Sequence, residues 1–182
     1  AHSNIVSFNT LYNNNQQMYL QSLAGTLYNN IFENNILISK GSSQLCLNAF
    51  STGEDITEFG DFRYNYYARP IDDDNVFLTN TPATGSKYRI LSDWQTFTGQ
   101  DLSSKKSPAI LAEFADTADF DFYYNPAKTN KIISLPQPMI DISGIKYSTN
   151  ITLLPFTSAV LIVDPEFAPP KPPVCLSVLI GS

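Results

Sequence analysis

Asn30-Ile31-Phe32-Glu33-Asn34-Asn35-Ile36-Leu37-Ile38 decides how this chain is read, because two other stretches lie over it. Asn4-Ile5-Val6-Ser7-Phe8-Asn9-Thr10-Leu11-Tyr12 matches it position for position, and Gly60-Asp61-Phe62-Arg63-Tyr64-Asn65-Tyr66-Tyr67 repeats it in frayed form. A second echo sets Gln17-Met18-Tyr19-Leu20-Gln21-Ser22-Leu23 against Gln44-Leu45-Cys46-Leu47-Asn48-Ala49-Phe50. The recurrence distance is 26 or 27 residues and then 30. Short β-type runs at such a period, with no helical pattern, predict a solenoid whose coils stack their strands into parallel sheets.

The columns of this alignment have a physical reading. Val6, Phe32 and Phe62 are expected to stack in the coil interior, with Leu11, Leu37 and Tyr67 as a second inward column. Asn9, Asn35 and Asn65 are expected to form a ladder at a corner, where Asn tolerates left-handed backbone and its amide reaches the rung below. Nine of the 16 Asn fall before residue 36, a density that marks corners rather than chemistry.

The chain has 182 residues, 43% of them hydrophobic, which is enough for a substantial core in one or two domains. Charged residues make up only 15% and aromatics 13%, the profile of a β-rich extracellular protein, so a secreted or cell-surface location is expected. A net charge of -6 and the absence of a basic patch exclude nucleic acid as a partner. No apolar run is long enough for a membrane span. His2 is the single histidine, which excludes a His-based triad. Of the two cysteines, Cys46 sits between Leu45 and Leu47 and reads as a buried thiol; a bridge to Cys175 is the other possibility. The first rung begins at residue 4 without a capping segment, so the chain reads as the C-terminal piece of a longer solenoid, with upstream coils of the same or a parent chain as its partner.

Three regions follow. Residues 1–108 are terminal coils and a cap, 109–164 a small antiparallel β-sandwich, and 165–182 a Pro-rich linker leading to a short apolar tail. The coil pattern fades after Tyr67 and breaks from Val76, where 79–85 is turn chemistry. Ser92 to Phe97 predicts a short helix capped by Ser92 or Asp93, with Trp94 and Phe97 plugging the solenoid end; sugar stacking is the alternative role for Trp94. Strands are predicted at 110–114, 119–124, 131–135, 139–142, 151–153 and 159–163, packed against the solenoid end. Alternation puts Phe120, Phe122 and Tyr124 on the core face of their strand, and Asp119, Asp121 and Tyr123 on the other.

Trp94-Gln95-Thr96-Phe97-Thr98-Gly99-Gln100-Asp101-Leu102-Ser103-Ser104-Lys105 resembles the W-x-x-x-T-G-x-D-x-x-S segment that closes right-handed parallel β-helix proteins secreted by bacteria, many of them Bacteroidetes. Tyr124-Asn125-Pro126, the run from Met139 to Tyr147 and the run from Ile151 to Ile162 are similar to the β-sandwich appended to such helices. The resemblance covers most of residues 4–164. It implies an all-β fold, a right-handed parallel β-helix followed by a small antiparallel β-sandwich, and a protein that binds or processes polysaccharide. The catalytic groove of such enzymes lies in earlier coils than these.

Candidate chemistry is sparse. A lyase acting on uronates needs a base and a cation, yet residues 1–39 hold no Lys or Arg. Glu33 and Arg63 fall in one column, about 5 Å apart at the backbone, and are the weak catalytic pair; a surface salt bridge is the plainer relation. Glu54, Asp55, Glu58 and Asp61 are loop carboxylates for which a solvated loop is the plain reading and a facing hydrolase pair the alternative. Asp72, Asp73 and Asp74 are candidate Ca²⁺ ligands but lack EF-hand spacing. Tyr64 and Tyr66 with Arg69 form the densest aromatic and cationic patch, the expected carbohydrate contact, since Tyr67 belongs to the inward column. The leading expectation is a non-catalytic C-terminal portion of a polysaccharide-binding or polysaccharide-processing protein. A lyase or hydrolase fragment with its active site mostly upstream, and a structural module of a surface adhesin, are the alternatives.

Overall fold

Alternating inward and outward side chains make the repeated stretches into strands, and matched apolar columns fix which strands pair. A computed structural model describes residues 1–23, 25–72, 75–106 and 120–166. The first pass of the chain forms β1 (Ile5–Ser7), β2 (Thr10–Tyr12) and β3 (Gln16–Ser22). The second forms β4 (Asn30–Glu33), β5 (Ile36–Ile38) and β6 (Leu45–Ser51), and the third β7 (Gly60–Arg63), β8 (Tyr66–Ala68) and β9 (Phe77–Thr81). Each pass lays its three strands parallel to those of the previous one, in sheets ordered β1-β4-β7, β2-β5-β8 and β3-β6-β9. We call each pass a coil.

The interior follows the columns. Phe32 and Phe62 stack at 4.6 Å, Val6 packs against the same core, and Leu11, Leu37 and Tyr67 line up in register. Burying each such Leu or Phe contributes about 1.5–3 kcal/mol. The second echo is offset: Met18 pairs with Leu47 and Leu20 with Ala49, two residues away from the sequence alignment. A two-residue slip keeps every inward residue inward, which is why the pattern still reads correctly. The aligned glutamines share a local task instead. Gln17 Oε1 accepts the amide of Asn14 at 3.1 Å, and Gln44 Oε1 accepts those of Lys40 and Gly41 at 2.7 and 3.1 Å.

Beyond the third coil the chain turns back. β10 (Gly85–Arg89) pairs antiparallel with β9, so the fading of the repeat at Val76 hides one more coil strand and a hairpin. Helix α1 (Leu91–Thr98) then crosses the end of the stack, followed by β11 (Lys105–Lys106), which pairs parallel with β8. The residue preceding α1 is Ile90, with no side-chain cap; Ser92 and Asp93 lie inside the first turn rather than capping it. Gly99, at φ 68°, closes the helix in the left-handed conformation that favours glycine. Trp94 is fully buried, stacked on Phe77 at 5.3 Å and edge-on to Phe62 at 5.4 Å, so it closes the core and cannot offer its face to a sugar.

The remaining strands are antiparallel. β12 (Phe120–Tyr124), β13 (Lys131–Ser134), β14 (Met139–Asp141), β15 (Lys146–Tyr147), β16 (Asn150–Leu153) and β17 (Ser158–Val163) form a sheet ordered β12-β17-β14-β15 and a two-stranded sheet β13-β16. Met139, Ile151, Leu153 and Leu161 fill the space between them. This unit packs on the flank of the coils, not on their end: Phe120, Ile140, Val160 and Ile162 meet the outward side chains Tyr12, Ile36, Ile38, Tyr66 and Ala68 of β2, β5 and β8. The aromatic face of β12 therefore looks at the coils. Only Phe120 is buried there, while Phe122, stacked on Tyr12 at 5.6 Å, and Tyr124 stay 48% and 46% exposed. The strand predicted at 110–114, Asp119, Cys175, most of the Pro-rich segment and the apolar tail lie outside the described residues.

Candidate functional site

Two ladders of asparagine set the corners on either side of β1, β4 and β7. Asn35 Oδ1 accepts the backbone and side-chain amides of Asn9 at 3.1 and 3.0 Å, and Asn65 Oδ1 does the same for Asn35 at 3.0 and 3.2 Å. At the other corner Asn30 Oδ1 accepts both amides of Asn4 at 3.1 and 2.9 Å. That second ladder stops at Gly60, where a Cβ would collide with the backbone carbonyl of Asn30. The left-handed backbone expected of the ladder asparagines belongs instead to the residue before each: Ser3, Phe8, Asn29, Asn34 and Tyr64, with φ between 54° and 58°.

The last rung is closed by the segment after α1. Asp101 is 2% exposed and accepts from Tyr67 Oη at 2.8 Å and Trp94 Nε1 at 3.1 Å on one oxygen, and from Ser104 Oγ on the other. Ser104 Oγ in turn accepts the Asn65 amide at 2.8 Å. Burial raises the Asp101 carboxyl above its usual range against the pull of these donors, and burial followed by the Asp101 charge lifts the Tyr67 phenol well above its ordinary value. Trp94, Asp101 and Ser104 are thus one bonded unit that terminates the ladder. Its carboxylate is fully engaged and faces no substrate space.

Next to the ladder, on the outer face of β1, β4 and β7, Ser7, Glu33 and Arg63 share a column. Arg63 Nε donates to Glu33 Oε2 at 2.8 Å, and its Nη1 reaches Asp61. The hydrogen bond to Glu33, helped by the charge of Asp61, raises the Arg63 pKa. Glu33 and Arg63 thus form an ion pair at the surface. At the corner beside it, Phe8, Asn34 and Tyr64 form a column of left-handed residues. Phe8 is 79% and Tyr64 57% exposed. Two strand spacings separate them, roughly 10 Å. Holding a bulky residue in the left-handed region costs about 1–2 kcal/mol, and no packing gain offsets that at rings so exposed.

The other candidates lie elsewhere. Tyr66 points outward from β8 but lies under the antiparallel unit, lining a cleft of about 390 Å³ with Ile36, Asp141 and Tyr147. Arg69 is 3% exposed, donates to the Ser42 carbonyl and pairs with Asp72 at 3.1 Å. The structure therefore does not bring Tyr66 and Arg69 to the surface that Tyr64 occupies. Asp73 and Asp74 lie outside the described residues, and among the described residues no three His, Cys, Asp or Glu come together to hold a metal. Cys46 is a free thiol with no exposed surface, its pKa pushed up to about 11 by burial. A cleft of about 520 Å³ beside α1, lined by Leu91, Leu102 and Lys105, borders Tyr67, whose hydroxyl is already given to Asp101. Sequence reasoning missed Phe8; the signal was an aromatic residue at a corner that asparagine occupies in the next rung. Comparison with protein-family models, with curated proteins and with solved structures gave no match.

Proposed function

We propose that this chain is the non-catalytic end portion of a secreted right-handed parallel β-helix protein, with an appended β-sandwich, that binds polysaccharide. The observation that carries the binding reading is the Phe8–Asn34–Tyr64 corner. Two exposed aromatic faces, held on rigid strand ends and spaced by two rungs, present flat apolar platforms at a distance close to the length of a disaccharide. Asn34 between them and the Glu33–Arg63–Asp61 group beside them supply amide, carboxylate and guanidinium partners for hydroxyl groups. A glycan strand would lie along the coil axis.

The right-handed reading rests on the connections. Parallel strands of one sheet are joined through the other two, and such crossovers are right-handed almost without exception. The non-catalytic reading rests on the carboxylates: Glu33 is engaged by Arg63, and Asp101 is buried and held by three donors. The secreted reading rests on a charged content of 15% and aromatic content of 13%. Pull-down on insoluble polysaccharides and a glycan array with the full chain test the proposal. Binding that is lost in Phe8→Ala and Tyr64→Ala supports it. Absence of binding to every glycan overturns it and leaves the structural module of a surface protein.

A further inference from the structure

Charge is distributed unevenly around the coils. Of the 11 Lys and Arg residues, Arg63 alone lies on the sheet β1-β4-β7 that carries the Phe8–Asn34–Tyr64 corner. Its guanidinium is shared by two carboxylates, Glu33 Oε2 on Nε at 2.8 Å and Asp61 Oδ2 on Nη1. All three side chains reach solvent, and that of Asp61 is 51% exposed. One guanidinium against two carboxylates leaves the group negative, on a chain whose net charge of -6 acts in the same sense.

A second observation lies at the other edge of this face. A groove of about 790 Å³ runs there, lined by Tyr28, Asn29, Ile31, Glu58, Asp61 and Gln100. Among the described residues that line it, the charged groups are Glu58 and Asp61, both exposed carboxylates. The face between groove and aromatic corner is one four-residue strand wide, about 10 Å. A sugar chain stacked on Phe8 and Tyr64 therefore projects its ring substituents across Arg63 and Asp61 toward the groove. Carboxylates so placed attract cations and repel anions over about 8 Å at physiological ionic strength.

We propose that the glycan held along this face carries free amino groups. The inference rests on the reading of Phe8 and Tyr64 as sugar platforms and names the class of sugar they take, hexosamine units whose nitrogen is not acetylated. Their pyranose faces lie on the two rings, and their ammonium groups donate to the carboxylates of Asp61 and Glu58 in charge-assisted hydrogen bonds. An ammonium close to an aromatic face is attracted by the ring as well. A neutral chain keeps the stacking and gains nothing from the carboxylates. A uronate or sulfated chain meets the opposite field, since the guanidinium that would receive it is already shared by Glu33 and Asp61.

The test is calorimetric titration of the full chain with oligomers of glucosamine, N-acetylglucosamine and galacturonic acid of equal length, at about pH 5.5, where amino sugars are protonated and ordinary carboxylates ionised. Glucosamine oligomers are expected to bind about ten-fold or more tighter than galacturonic acid oligomers, with the acetylated oligomers between them. The preference should shrink as salt is raised from about 0.05 to 0.5 M. Glu58→Gln combined with Asp61→Asn should bring the glucosamine affinity down to that of N-acetylglucosamine and leave the latter unchanged, which a merely structural role of the two carboxylates would not do. Uronate or acetylated oligomers that bind as tightly as the amine, with binding lost in Tyr64→Gly, overturn the inference and leave the glycan strip standing. A preference for the amine that survives high salt and the double substitution also overturns it. Absence of binding to all three oligomers and to every other glycan overturns it together with the strip.

Discussion

Asn35 Oδ1 accepts both amides of Asn9, while its own Nδ2 donates to the Val6 carbonyl at 2.8 Å and to Asn65 Oδ1 at 3.2 Å. One fully buried side chain thus joins three coils at a corner where the backbone turns too sharply to pair with itself. Asn35→Ala removes the acceptor of the Asn9 backbone amide and the buried side-chain links to the Val6 carbonyl and Asn65, and is expected to cost about 2–3 kcal/mol in denaturant unfolding. Asn15→Ala, at an exposed corner, is expected to stay within about 0.5 kcal/mol.

Trp94 closes the core and donates to Asp101. Trp94→Ala opens a cavity under α1 and is expected to cost about 3–5 kcal/mol. The loss of protection in hydrogen exchange should be concentrated in β7 and β9, against whose Phe62 and Phe77 the ring packs, and weaker in β13 and β16.

Asp101 gives a pH signature. Its folded pKa lies above the ordinary 3.8, so the folded state holds the proton more tightly than the unfolded chain. Stability from this group is then largest below the unfolded value and falls as pH rises from 3.8 through the folded value. Asp101→Asn removes that decline, so the stability gap between the two proteins, measured by urea unfolding at a series of pH values, should shift in favour of the variant as pH rises through this window. A gap independent of pH from 3.5 upward contradicts the assignment.

Cys46 has no exposed surface and a pKa near 11. In the native protein it should resist alkylation at pH 8 and be modified only in denaturant, as read by mass spectrometry of the peptide that contains it. Modification of Cys46 at the rate of a free thiol under native conditions would contradict its burial.

Much of the coil architecture was legible because identical tasks recur in register. Val6, Phe32 and Phe62 do the same packing job at the same height in successive rungs, so sequence similarity and spatial pairing coincide. The glutamine echo misled by two residues because the Oε1 atoms of Gln17 and Gln44 each hold the turn before their own strand and the two side chains do not meet each other. β10 was hidden because its partner is a hairpin neighbour and not a rung, and β11 because two lysines carry no pattern. The docking of the antiparallel unit was written in Tyr12, Ile36, Ile38, Tyr66 and Ala68, outward residues too apolar for a wet face. That same docking half-covers Tyr66, and the Ser42 carbonyl and Asp72 draw Arg69 inward, so Tyr64 alone of the expected patch is well exposed.

Tyr64 and Phe8 should be dispensable for folding. Each holds φ near 57° with an exposed ring, so Phe8→Gly and Tyr64→Gly relieve backbone strain and are expected to leave stability unchanged or raise it by about 1 kcal/mol. Substitutions neutral for the fold but not for ligand separate the two roles.

The most direct measurement is calorimetric titration of the full chain with oligosaccharides of increasing length, taken from a polysaccharide that the chain retains. The spacing of Phe8 and Tyr64 predicts a step in affinity once the ligand spans both rings, and Phe8→Gly or Tyr64→Gly abolishes the step while the thermal midpoint holds. Affinity that rises without a step, or a step that survives in both glycine variants, would contradict the glycan strip.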